Sequence, residues 1–348
     1  MQYFSAKNII VNMIQVSLRQ IADKTGYSMN TVSRVLRDKS DVKAETKLHV
    51  RQVAQEMGYI PNKIAKSLRL GKTSTIGIIS ADSSNPFFSE VILGIEERAR
   101  SLSYHILLVN TEEDAARELE AINDLIARRV DGLLLMPVCG EQDKNNVGFL
   151  RKLPIPFVLV GRWLPGLEDH AVLTDEYEKA REITSLFLSN GHRNIIHLSG
   201  PSYVSSTHDR IRGFRDAMQA SQIAISDQSV IGTKGHLEDG RLQINSLIRE
   251  EIPFTAIFAF NDLVAIGALR ALKENGLRVP KDVEVMGFDD LDSSQYLYLS
   301  LSTVRIPKQL LGRVAFEELY EHIQRDSTPY QRRIVESRIM LRETTLFE

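Results

Sequence analysis

The sequence predicts an all-α N-terminal head followed by an α/β body of two doubly wound lobes. Three observations lead there. Residues 17–60 hold short helices bounded by capping serines and glycine stops. From Thr75 onward, short apolar runs alternate with amphipathic stretches. Charge is also divided. Residues 1–72 carry 13 basic and 5 acidic side chains, a net +8, and the rest carries 30 and 40, a net −10. A basic head on an acidic body points to a polyanionic partner for the head.

At 348 residues the chain has room for two or three domains. A hydrophobic content of 43% and a charged content of 25% are ordinary for a soluble protein. Cys139 is the one cysteine, which excludes an internal disulfide and a cysteine-clustered zinc site. It suits a reducing cytoplasm. No apolar run is long enough for a membrane span. The first residues, MQYFSAKNIIVNMIQV, make a poor export signal. Their apolar core is only Ile9-Ile10-Val11, and no small-residue cleavage site follows. Residues 1–16 read as a disordered extension, and Met13 is an alternative start.

In order along the chain, Ser17 caps a first helix, LRQIADKTG, with Leu18, Ile21 and Ala22 on one face and Gly26 as its stop. Ser28 caps a second helix running to Leu36. Val32, Val35 and Leu36 face inward, at helical spacing. Met29, Asn30, Thr31, Ser33 and Arg34 remain outside, a hydrogen-bonding face without an acid. Two short helices joined through a tight glycine turn make a helix-turn-helix. A third helix from about Ala44 to Met57 closes a small core through Val50, Val53, Ala54 and Met57, and Gly58 ends it. Tyr59-Ile60-Pro61-Asn62 then breaks the chain. About two helical turns of basic character follow at residues 63–70, too short to be stable alone. Gly71 to Thr75 is a linker; a phosphate loop is excluded because Lys66 stands where its first glycine is needed.

The body reads as strands at 75–80, 105–110, 132–137, 157–161, 194–200, 255–260 and 283–288. Helices are expected at 88–102, 114–129, 176–190, 210–220, 239–249 and 262–275. Continuous apolar strands alternating with helices mean parallel sheets covered on both faces. There are too many for one small sheet, so two lobes with a ligand cleft at the strand carboxyl ends follow.

QIADKTGYSMNTVSRVL, with GYIPNKIAKSLRLGKTSTIGII after it, resembles the lactose/galactose repressor family of bacterial regulators. The resemblance implies a periplasmic-binding-protein-like body of type I, in which the chain crosses between lobes three times, here near residues 173, 302 and 332. The expected domains are a head at 17–60, a hinge helix and linker at 61–74, and an effector-binding, dimerising core at 75–348. Lobe one takes about 75–173 and 303–331; lobe two takes about 174–302 and 332–348.

The family likeness also implies roles. Pro61–Leu70 would be a hinge helix that folds on operator DNA, with Leu68 wedged into the minor groove. Ser17, Ser28, Asn62 and Ala65 would join Met29, Asn30, Thr31, Ser33 and Arg34 as DNA contacts. Asn85, Phe87 and Phe88 would flank a sugar ring. Arg210, in VSSTHDRIRGF, offers a fixed fork of donors for vicinal hydroxyls or a carboxylate. Asp262, at a helix start, would accept sugar hydroxyls, although capping alone also explains it. Asp289 would line the cleft rim, and Arg305 would be a polar cleft residue. Arg162 and Asp175 are further candidates at the other lobe edge; Arg212 is a surface residue.

The chain departs from many relatives in the loop KGHLEDG, where Gly235 and His236 stand in place of an expected aromatic. Trp163 is a substitute ring or a packing residue. Arg210 and Arg305 leave room for an acidic or phosphorylated sugar.

Three rivals stand beside this reading. A free sugar-binding receptor would need an export signal and no basic head. An enzyme would need a motif such as G-x-S-x-G, G-x-G-x-x-G or H-E-x-x-H, and none is present. A metal at Asp289-Asp290-Asp292 is disfavoured, because such loop acids are usually solvated. The expectation is therefore a cytoplasmic, homodimeric repressor without cofactor or membrane partner. It binds double-stranded operator DNA under control of a small sugar-like effector, with inducer release the commoner mode; a co-repressor or activator of the same architecture is the alternative. No leucine-heptad tail follows SRIMLRETT, so a dimer is expected rather than a tetramer.

Overall fold

The computed structural model describes residues 16–60, 71–138, 144–325 and 329–346. By backbone contacts the chain divides into two compact units, Met1–Gly71 and Lys72–Glu348. The segment expected to be a hinge, with Asn62, Ala65 and Leu68, lies outside the described residues, as does Cys139.

The first unit holds α1 (Leu18–Thr25), α2 (Met29–Leu36) and α3 (Ala44–Glu56). Ser17 forms a reciprocal capping box with Gln20. The Ser28 hydroxyl accepts from the Thr31 backbone N–H at 3.1 Å. Gly26 takes the left-handed conformation at φ 72°, which lets α2 follow at once. Ile21, Ala22, Val32, Val35, Val50, Val53 and Ala54 form the small core. Val16, assigned above to the extension, packs against it.

The second unit contains two parallel sheets. The first comprises β1 (Thr75–Ser80), β2 (His105–Asn110), β3 (Leu133–Leu135), β4 (Phe157–Val160), β5 (Ala171–Thr174) and β11 (Arg333–Val335), in the order β11-β5-β4-β3-β1-β2. Its helices are α4 (Pro86–Ser101), α5 (Ala115–Ala127), α6 (Lys144–Leu150) and α11 (Lys308–Gln324). The second comprises β6 (Ile195–Ser199), β7 (Val230–Gly232), β8 (Ala256–Ala259) and β9 (Glu284–Met286), in the order β7-β6-β8-β9. Its helices are α7 (Glu176–Ser189), α8 (Ser205–Ala220), α9 (Leu237–Arg249) and α10 (Asp262–Glu274). β10 (Thr303–Arg305) pairs antiparallel with β12 (Arg338–Met340) and bridges to the β9 side through Asp289 and Arg305.

These pairings move two expected lobe boundaries. Thr303–Arg305 belongs with the second lobe, not the first, and Arg333–Val335 belongs with the first, not the second. Both crossings fall a few residues later than the sequence suggested, because three-residue strands carry almost no periodicity. The sequence reading also omitted α11, a 17-residue helix. Gly312, in its second turn, lets two backbones approach: a Cβ there would sit 2.1 Å from the Val91 carbonyl oxygen. Gly94 of α4 answers it, its Cβ position lying 2.0 Å from the Gln309 carbonyl oxygen.

His197 sits in the middle of the second lobe, fully buried on β6. Its ring stacks on Phe258 at 4.3 Å, its Nδ1 lies 3.0 Å from the Phe258 carbonyl oxygen, and its Nε2 has no partner. Burial drives its pKa down to about 3. A histidine held neutral in this way contributes stability above its unfolded pKa, which is lost as pH falls from about 6.5 toward 3. Chemical denaturation of wild type and His197→Phe at pH 7 and pH 5 should therefore diverge. Wild type should lose about 2 kcal/mol more than the variant over that interval; equal losses would show that the imidazole does not titrate on unfolding.

Candidate effector cleft and DNA-contact helix

Strand carboxyl ends from both sheets open on one cleft of about 830 Å³. Arg210 of α8 is its central cation and is buried. Its Nε donates to Glu176 at 2.6 Å and its Nη1 donates to the Phe260 carbonyl oxygen. The guanidinium carbon lies 3.7 Å from the Phe288 ring centre and 4.6 Å from that of Phe260. On the opposite lobe Arg162 grips Glu113 through both terminal nitrogens, at 2.9 and 2.7 Å, and donates to the Pro137 carbonyl oxygen at 3.0 Å. Each arginine is thus fixed by a carboxylate and by a backbone oxygen.

Asn85, Phe87, Phe88, Arg210 and Asp289 all line this cleft, as expected. Asn85 also caps α4, accepting from the Phe87 N–H at 3.0 Å. Phe87 and Phe88 meet edge to face at 5.3 Å, and Phe88 is additionally part of the lobe-one core. Asp289 is buried with backbone φ 117°, a conformation side chains rarely adopt. Burial raises its pKa well above the ordinary value, with nearby Arg210 opposing the shift.

Two expected cleft residues stand elsewhere. Asp262 has no exposed surface and does not line the cleft; its neighbour Asn261 does. Thr303 Oγ1 donates to one Asp262 oxygen at 2.5 Å. The Leu291 N–H and the Ser294 hydroxyl donate to the other at 2.8 and 2.6 Å. Burial lifts the Asp262 pKa to about 6 against these bonds. It anchors a turn rather than a ligand. Nor is capping its role, since Asn261 caps α10. Arg305 is half exposed outside the cleft and holds Asp290 at 2.5 Å, while Arg342 takes the other Asp290 oxygen at 2.6 Å. Asp175 accepts from the Ser337 N–H at 2.9 Å and is also outside.

Arg162 and His236 line the cleft; Trp163 does not. The sequence reading missed Glu113, Glu176, Tyr203 and Phe260 there. Phe260 had a usable signal, since it ends the apolar run at 255–260. Lys308, the first residue of α11, reaches across the lobes. Its ammonium donates to the carbonyl oxygens of Asp289 and Asp290 at 2.9 and 2.8 Å and lies 3.4 Å from Glu90 of α4.

In the head, α2 buries Val32 and Val35 and exposes Met29, Asn30 and Arg34, with Thr31 and Ser33 half-buried. Arg34 pairs with Asp41. Ser17 and Ser28 spend their hydroxyls on the first turns of α1 and α2.

Residues 17–62 match the family described as bacterial regulatory proteins, lacI family. Residues 73–342 match the family described as periplasmic binding proteins and sugar binding domain of LacI family. The chain belongs to the LacI family. Among similar proteins is the ribose operon repressor of Haemophilus influenzae, 31% identical over 94% of this chain and 98% of that protein. The transcriptional repressor PurR of Photobacterium profundum is 33% identical over 92% of this chain and 95% of its own length. A crystal structure of the lac repressor dimer bound to operator and the anti-inducer ONPF superposes with a TM-score of 0.88. It is 25% identical, covering 95% of this chain and 99% of that one.

If Asp262 is an anchor, its loss is a stability event. Asp262→Ala leaves three buried donors unpaired and should lower unfolding free energy by about 3 kcal/mol in urea titration. An unchanged midpoint would contradict the anchoring role.

Proposed function

We propose that this LacI-family regulator represses transcription by binding operator DNA as a homodimer, and that an uncharged, sugar-like effector in the cleft releases it. The observation that carries this reading is the joining, in one chain, of a polar-faced, capped α2 to a two-lobed body with a cleft at its strand ends. Two α2 helices from a dimer would enter successive major grooves of a near-palindromic site. Met29, Asn30 and Thr31 supply base-edge and methyl contacts, and Ser33 and Arg34 contact phosphate or guanine. Ser17, Asn62, Ala65 and the Leu68 wedge complete the DNA surface in this proposal. Exposed Leu107 and Leu108 on edge strand β2 offer an apolar surface to a second copy. A DNA partner places the protein in the cytoplasm.

Charge argues for the effector class. Six acids line the cleft (Asp82, Glu112, Glu113, Glu176, Asp239 and Asp289) against Arg162, Arg210 and Lys234. Both arginines already hold carboxylates. A phosphate or sugar acid would meet excess negative charge, whereas hydroxyls find both donors and acceptors. Phe87, Phe88 and Phe260 give apolar faces for a ring. The arginines therefore do not favour the acidic ligand considered from sequence.

Thermal-shift measurements with neutral pentoses and hexoses, and with their phosphates, test the class. A neutral sugar at about 100 times its Kd should add roughly 2.7 kcal/mol of stability. Stabilisation by phosphates in preference to neutral sugars would overturn it. For the DNA face, Arg34→Ala should weaken binding to wild-type-selected genomic fragments by about 1–3 kcal/mol and relax base preference at one position. Fluorescence anisotropy at fixed salt reads both.

A further inference from the structure

Trp163 is the one tryptophan in the chain. It follows β4 in lobe one and packs partly against that lobe's core. Its polar atoms, however, point to lobe two. The indole Nε1–H donates to Asp209 at 3.0 Å, and its backbone N–H donates to the Ser205 hydroxyl at 2.9 Å. Both partners lie in the first turns of α8. Asp209 is nearly buried, and its second oxygen accepts from Arg212 at 2.9 Å. Arg212 is in turn placed over the Tyr177 ring at 4.7 Å. The acceptor is therefore braced within its own lobe.

The neighbours on the chain give this contact its meaning. Trp163 directly follows Arg162, and Asp209 directly precedes Arg210. These are the two arginines of the cleft, one on each lobe. Each partner in the indole bond is thus one peptide unit away from a cleft arginine.

We propose that Trp163, with Asp209 and Ser205, is an inter-lobe clamp that holds the lobes at the angle seen here and senses occupancy of the cleft. The whole chain superposes on the operator-bound lac repressor chain. The clamp favours the DNA-binding state, and that consequence rests on the effector-controlled reading above. The clamp itself rests on the lobe geometry, so its test needs no effector.

The sole tryptophan serves as its own reporter. Asp209→Leu removes the acceptor, and Asp209→Asn keeps an oxygen that can accept the indole N–H. In ligand-free protein, acrylamide quenching of Trp163 should rise about twofold in Asp209→Leu and return to the wild-type value in Asp209→Asn. Lobe separation is read in parallel. Spin labels at Ser101 and Ser221, in a Cys139→Ser background, are diluted into unlabelled chains. Their distance distribution should broaden in Asp209→Leu and narrow again in Asp209→Asn. Melting curves identify any variant that merely loosens the fold, and Trp163→Phe then gives the same distance measurement from the other partner. Wild-type distances in both Asp209→Leu and Trp163→Phe would overturn the clamp. Failure of every sugar to bind would instead strike the effector reading and leave the clamp result standing.

Discussion

A buried carboxylate organises the second lobe. Asp262 has no solvent, and its two oxygens collect donors from Thr303, Leu291 and Ser294. Those bonds draw β10 and the segment after β9 toward the start of α10. Between them the chain runs through Asp289 and Asp290 with positive φ at both residues, a strained path that needs outside support. Lys308 supplies part of it by donating to both carbonyl oxygens, and Arg305 and Arg342 hold the Asp290 carboxylate. The result aims the Asp289 side chain into the cleft beside Arg210. One anchor thereby sets a turn, a cross-lobe contact and a cleft wall.

Electrostatics separates the work of the two units. Basic side chains concentrate in the head, where a polyanion is met. In the body, the two cleft arginines are already paired with carboxylates, and acids outnumber bases around them. Coupling needs elements with two arrangements. Lys308 and Trp163 each reach from lobe one into lobe two, and both end on residues adjacent to or within the cleft wall.

Much of this was legible in the sequence. The seven apolar runs read from the sequence of the body are all strands, because buried parallel strands read as continuous hydrophobic segments. The caps at Ser17 and Ser28 and the glycine at Gly26 place the head helices. What escaped was mostly short: β5, β7 and β10 to β12 are too brief for a pattern. The exception is α11, which was not read as a helix although it is 17 residues long. In the cleft, the likeness of VSSTHDRIRGF to an arginine-bearing family loop picked out Arg210, and position after a strand picked out Asn85 and Asp289, all three on the cleft lining. Position after a strand misplaced Asp262 because a carboxylate at a helix start next to a cleft has the same sequence signature whether it faces ligand or donors beneath the turn. Arg305 came from the family likeness alone, and a three-residue strand does not reveal which of its side chains faces the cleft.

The central claim is that cleft and DNA surface are coupled, and coupling is reciprocal. The most direct measurement takes a genomic fragment selected by the protein and a neutral sugar that stabilises it. Operator affinity is read by anisotropy with and without sugar, and sugar affinity by calorimetry with and without operator. The account predicts that sugar weakens operator binding by about tenfold or more and that operator weakens sugar binding by the same factor. Operator affinity unchanged at saturating sugar would contradict it.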